Sequence, residues 1–142
     1  MNFVFDDGGR AASGYKGSAG DCVVRAIAIA TQLPYQRVYG DLNILIASSR
    51  RTKHAKDSSA RNGVHKQFYH KYLKSLGWEW VPIMRIGSGC KIHLRLDQLP
   101  KGRLILRLSQ HLTAYVDGVV HDIYDPSRGG DRCVYGYFKK AT

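Results

Sequence analysis

An α+β fold, N-terminal helices packed on a C-terminal antiparallel β-sheet, is what this sequence predicts, and three observations carry the expectation. Apolar residues recur at helical spacing through much of the first half of the chain. The character then switches to short alternating segments bounded by Gly, Pro and Asp. Between two of those segments stands Asp117-Gly118, a strong signal for a tight hairpin. Helices followed by strands is the order of an α+β architecture, not of alternating parallel units. The 142 residues suit one domain spanning 1–142, without repeats or a linker.

Residues 2–20, rich in Gly, Ala and Ser, read as an extended arm and loop. The first helix is expected from Cys22 to Thr31, apolar nearly all round and so buried on most sides. Asp21 is a good N-cap for it. Leu33-Pro34 ends this helix and Pro34 opens a second, with Val38, Tyr39, Leu42, Leu45 and Ile46 on its apolar side. The basic, serine-containing stretch 48–62 has no apolar stripe and reads as a mobile surface loop. Asn62 caps a third helix carrying Val64, Phe68, Tyr72, Leu73 and Leu76, which Gly77 terminates. Strands are expected over 78–83, 103–108, 111–116, 119–124 and 134–138, with a short helical turn over 94–99 before Pro100.

Composition narrows the function classes. No run approaches the roughly 20 apolar residues of a membrane span, and the N-terminus lacks the layout of a secretory signal. Cys22, Cys90 and Cys133 cannot all pair and none lies in a CxxC, which disfavours a disulfide scaffold and suits a reducing, cytoplasmic setting. The formal charge is +11. Much of it lies in one stretch, where Arg50, Arg51, Lys53, Lys56, Arg61, Lys66, Lys71 and Lys74 face only Asp57. Such a patch concentrates anionic partners, whether nucleic acid, an acidic protein or an anionic membrane surface. His54, His65, His70 and His93 form no recognised metal spacing, and no metal or other cofactor is expected. Gly87-Ser88-Gly89-Cys90-Lys91 lacks the full phosphate-loop pattern and reads as a turn, and Cys90 and Cys133 read as inert.

Three residues point to nucleophilic amide chemistry. Cys22 opens a buried helix, where the dipole and unpaired N–H groups favour a thiolate, the reactive form. His111 begins a strand, and Asp125 ends the next strand of the same hairpin. Taken singly these are a small core residue, a structural histidine and a turn residue; the conjunction is what points to a site. If the hairpin loop carries an extra residue, His111 lies opposite Asp125. If the turn is a tight two-residue Asp117-Gly118, His111 pairs with Tyr124 and Asp122 falls diagonally across on the histidine's face. Either carboxylate could orient the imidazole. Asp125, beside Pro126 at a strand end, is the preferred acid and Asp122 the alternative.

The order of elements, with Gly20-Asp21-Cys22, the His111–Gly118 segment and Asp125-Pro126, resembles the papain-like cysteine peptidase superfamily, in particular its peptidase C39 and transglutaminase-like branches. The chain also resembles a family of small proteins encoded by bacteriophages and bacterial genomes that share the GDC and GSGC signatures. The first resemblance implies a papain-like domain with a Cys22–His111–Asp125 triad. It also marks a departure. Where papain-like enzymes carry a glutamine before the cysteine, this chain has Lys16. Lys16 and the Cys22 backbone N–H are then the expected oxyanion donors. Gln110, beside His111, is a weaker one, because strand alternation would point it away.

Two functions follow as expectations. The first is a thiol hydrolase or acyl-transfer protein acting on a peptide, isopeptide or related amide or thioester, with an acidic protein among the substrates that the charge favours. The second is a non-enzymatic papain-like module whose basic loop and third helix bind nucleic acid or an acidic partner. The expected location is the cytoplasm, that of the host if the protein is phage-encoded.

Overall fold

The computed structural model describes residues 2–17, 19–49, 58–85, 87–95 and 98–141. Among these are β1 (Asn2–Phe5), α1 (Cys22–Thr31), α2 (Tyr35–Ser48), α3 (Lys66–Ser75), β2 (Trp78–Pro82), β3 (Arg103–Leu108), β4 (His111–Val116), β5 (Val119–Asp122) and β6 (Gly136–Lys140). The strands form one sheet in the order β1-β5-β4-β3-β6-β2. Mixed α+β architecture is therefore correct, but the sheet is not wholly antiparallel, because β1 runs parallel to β5.

Both faces of the central strands are covered. Ile105 on β3 joins Leu112, Phe138 and the apolar sides of the three helices in one core. Leu104, Leu106 and Leu108, pointing the other way, meet Tyr115, Val120, Leu94, Leu99 and Val134 in a second. A strand buried on both sides reads as a continuous apolar run, which is what Leu104-Ile105-Leu106 is. Among the described residues, the side chains that cover the second face come from the segments before β3 and before β6.

Helix α1 has the expected limits because its burial is nearly complete, Val23 through Ala30 all being buried. Its last carbonyls are held by Arg103, whose Nε donates to Ala30 O at 2.9 Å and whose Nη2 donates to Ile29 O at 2.7 Å. A cation at this end also complements the helix dipole.

The β4–β5 hairpin turns tightly. Val116 pairs Val119, with Asp117 at φ 47° and Gly118 at φ 87°. Left-handed conformation at both central residues matches the right-handed twist of the flanking strands. This fixes the register, Tyr115 opposite Val120 and Ala114 opposite His121.

Several boundaries differ from expectation. The arm over 2–20 contains β1, an exposed edge strand with no alternation to betray it. Asn62 does not cap α3; His65 does, its Nδ1 accepting from Gln67 N–H at 3.5 Å. The expected loop over 48–62 is anchored where it is described, for Ala60 is fully buried and its N–H donates to Asn43 Oδ1 at 2.9 Å. Arg50, Arg51, Lys53 and Lys56 of the basic patch lie outside the described residues, as do 96 and 97 of the expected turn before Pro100. Strand β5 stops at Asp122, and β6 is displaced to Gly136–Lys140. There Gly136 admits the Trp80 ring so closely that a Cβ would sit 2.4 Å from its Cη2. Cys90 and Cys133, expected to be free and inert, form a disulfide with Cα atoms 5.8 Å apart. No helix among the described residues is long and apolar enough to cross a membrane.

Candidate active site

The N-terminus of α1 meets the start of β4. Cys22, at the first helical position and part-exposed, has the free thiol. It hydrogen-bonds to His111, and the Leu112 backbone N–H also reaches it. His111 Nε2 lies 2.7 Å from Asp122 Oδ2, which leaves Nδ1 as the ring nitrogen for the thiol. Tyr124 stacks beside the imidazole at a ring separation of 5.3 Å, its hydroxyl 3.5 Å from Nδ1.

The carboxylate that meets His111 is therefore Asp122 and not the preferred Asp125, and the turn is the physical reason. With only two residues between Val116 and Val119, alternation brings His111, Thr113 and Asp122 to one side of the hairpin. Asp125 lies beyond the strand and folds into its own turn, Oδ1 accepting from Ser127 N–H at 2.9 Å. Asp122 is buried with its acceptor capacity well used. Thr113 Oγ1 donates to Oδ2 at 2.7 Å, Ile123 N–H donates to Oδ1 at 2.7 Å, and Arg25 Nη2 stands 3.6 Å from Oδ1.

These contacts set the protonation states. Burial alone would raise the Cys22 thiol, but the hydrogen bond and charge of His111, the Leu112 N–H and the Arg25 charge hold it below its ordinary value. Burial disfavours the His111 cation, yet the hydrogen bonds to Asp122 and Cys22 outweigh it and raise the imidazole to about 9. Asp122 is lowered despite burial, chiefly by its bonds to His111 and Thr113. Both shifts favour the thiolate–imidazolium form of the pair, the form that reacts with carbonyl carbon.

Asp21 departs from its expected role. It precedes α1 but makes no side-chain cap. Its carboxylate instead forms a buried ion pair with Arg25, accepts from the Tyr35 hydroxyl and lies 3.4 Å from Arg10 Nε. Arg25 thus joins Asp21 to Asp122, and so links the residue before the nucleophile to the acid behind the base. With the cap withheld, the first N–H groups of α1 are left without a side-chain acceptor from Asp21.

Lys16, expected as an oxyanion donor, does not line the cleft around Cys22. It is exposed, and its carbonyl is held by Arg10 Nη2 at 3.0 Å and Arg61 Nη2 at 3.1 Å. Gln110 does line that cleft. It occupies the β3–β4 turn at φ 54°, where the alternation that would turn it away does not apply. The sequence ranks it low because strand alternation is applied to a residue that lies in the turn.

The thiol opens into a cleft of about 660 Å³ walled by the Ala19–Gly20 approach, the 62–66 segment, Tyr69, the β3–β4 turn and Ile123–Tyr124. Among the described residues no carboxylate lines it. Arg25, Lys66 and Arg107 do, and of these Arg25 is consumed by Asp21 and Asp122. Lys66 and Arg107 have no carboxylate partner among the described residues. Of the remaining basic-patch residues, Lys71 and Lys74 are exposed on α3 and Arg61 is tied to Lys16. No family model, no curated protein and no solved structure matches the chain.

Proposed function

We propose that this chain is a papain-like thiol hydrolase or acyl-transfer protein acting on a peptide, isopeptide or related amide or thioester. One observation carries the reading: a lowered thiol at a helix start, hydrogen-bonded to a raised imidazole that a buried carboxylate holds, inside an open cleft. The Cys22 thiolate attacks the carbonyl carbon, and the carbonyl π pair moves to oxygen. As the tetrahedral intermediate collapses, His111 Nδ1–H gives its proton to the leaving amine. Water, or an acceptor amine, then loses a proton to Nδ1 as it attacks the acyl-thioester, and Cys22 leaves as thiolate. Asp122 is a positioning residue, fixing the Nε2–H tautomer and stabilising the cation. The oxyanion is served by the uncapped N–H groups at the start of α1, including that of Cys22, and by the Gln110 amide.

Lys66 and Arg107, without a carboxylate partner among the described residues and in a cleft whose described lining holds no carboxylate, favour a substrate bearing an acidic group near the scissile carbonyl. The test is a screen of peptide, isopeptide and thioester substrates with mass spectrometry of the protein. The expected result is an acyl adduct on Cys22, lost with turnover in Cys22→Ala. Full turnover by Cys22→Ala overturns the proposal. Binding of nucleic acid or an acidic protein that ignores Cys22 and weakens steeply with salt, without any adduct, favours the binding-module reading instead.

A further inference from the structure

A second cluster of chemistry-bearing side chains lies outside the cleft, where the segment before β3 meets the segment before β6. Cys90, His93 and Cys133 each offer one donor atom, and the three donors lie within 4.8 Å of one another. We propose that when the Cys90–Cys133 disulfide is reduced, these three side chains bind a thiophilic divalent cation of the zinc type.

The backbone that carries the donors is already fixed. His93 and Cys133 face each other in an isolated antiparallel bridge. On either side of it, Val134 N–H donates to Ile92 O and Leu94 N–H to Arg132 O, both at 2.8 Å. Leu94 and Val134, next to two of the ligands, are anchored in the second core at 0% and 1% exposure. Ligands on such a frame need little ordering when the ion arrives.

The donors are also free for the task. The His93 imidazole has no hydrogen bond or ion pair with a described residue; only its backbone is engaged, the N–H by Gln98 Oε1 at 2.6 Å and the carbonyl by Arg95 N–H at 2.8 Å. Beyond the disulfide, Cys90 Sγ has only a weak contact to Ile92 O, at 3.6 Å. Two thiolates and an imidazole are a donor set that zinc prefers over calcium or magnesium, which take oxygen. In a tetrahedral site with Zn–S of about 2.3 Å and Zn–N of about 2.0 Å, donor atoms sit roughly 3.5–3.8 Å apart. The imidazole donor lies within 4.8 Å of both sulfurs, a gap that a side-chain movement of about 1 Å closes. Cys90 is exposed, so water can take the fourth position. The neighbouring guanidiniums are turned elsewhere, Arg95 to Gly130 O and Asp131, Arg132 to Ser109 O.

The chemistry balances. A thiol or phosphine reductant supplies two electrons, which with two protons convert the disulfide to two thiols. The cation then displaces both thiol protons and takes the lone pair of the neutral imidazole. Disulfide and metal close the same strap over the second face of the sheet, one in oxidising and the other in reducing surroundings.

The experiment uses the full chain carrying Cys22→Ser, so that the cleft thiol contributes nothing. The protein is reduced with a phosphine, stripped with a chelator, desalted and titrated with Co2+ and then Zn2+. The expected result is one equivalent of Co2+ with thiolate-to-cobalt charge transfer and the ligand-field bands of a tetrahedral site, displaced by Zn2+. The oxidised protein should bind none. Cys133→Ser should abolish the spectrum. His93→Ala should weaken binding by more than the roughly 10–100-fold that loss of a group behind a ligand costs. His93→Ala retains both thiols and the disulfide, so it serves if the cysteine variant does not fold. A reduced protein without a charge-transfer band, or a His93→Ala variant binding as tightly as its parent, overturns the proposal.

Discussion

Replacing Asp122 with asparagine removes one charge and little volume from behind His111. In the folded protein Asp122 Oδ2 lies 2.7 Å from His111 Nε2, both side chains being less than a tenth exposed. A hydrogen bond to a charged group contributes about 1.5–3 kcal/mol, and one pKa unit corresponds to about 1.36 kcal/mol. Asp122→Asn should therefore lower His111 by about 1–2 units from its value near 9. The Cys22 thiol, which draws on the His111 cation, should rise by up to the same amount. Alkylation of Cys22 by iodoacetamide across pH measures the thiol directly, because with the disulfide intact Cys22 is the free cysteine. Imidazole proton shifts follow His111. The wild-type inflection should lie below the ordinary thiol value of about 8.5, and Asp125→Asn should leave it in place, since Asp125 serves only its own turn. A wild-type inflection at or above about 8.5, or one that moves with Asp125→Asn and not with Asp122→Asn, would refute the reasoning.

Other outcomes follow from the same contacts. The raised His111 contributes stability that is fully present below its unfolded value of about 6.5 and is lost as pH rises through about 9, whereas the lowered Asp122 contributes above its unfolded value of about 3.9 and fails in acid. The difference in thermal midpoint between wild type and His111→Ala should be widest near pH 5–6, roughly, and shrink towards 9; a difference that grows with alkali contradicts the ion pair. Arg107→Ala should cost about 1 kcal/mol, or roughly fivefold in kcat/KM, on acidic substrates and little on neutral ones, a contrast that added salt reduces. Gly136→Ala places a Cβ against Trp80 and should cost about 1–3 kcal/mol in urea unfolding; unchanged stability would mean that the ring moves aside freely.

What could be read from the sequence follows physical range. The limits of α1 were legible because its burial makes residues 23–30 apolar nearly all round. The hairpin was legible because Asp117-Gly118 suits a turn with left-handed conformation at both centres. The choice between Asp122 and Asp125 was not, since it depends on whether the turn holds two residues or three, and both satisfy the local pattern. Strand β1 was hidden for another reason: it is short, exposed and paired with a distant strand, so no alternation is imposed on it. Asp21 looked like a cap because capping is local, but Arg10, Arg25 and Tyr35 compete for the same oxygens from farther along the chain. The Cys90–Cys133 pairing spans 43 residues and left no local trace.

Cys22 and His111 are supplied by opposite halves of the chain, and the edge of β5, the strand that carries Asp122, is covered by Asn2–Phe5. During synthesis the cysteine emerges long before the ring that lowers its thiol exists. On the proposed reading, a nascent chain or truncated fragment lacking β4 would have the sulfur but not the chemistry. Reactivity would then be withheld by topology until the tertiary structure is complete.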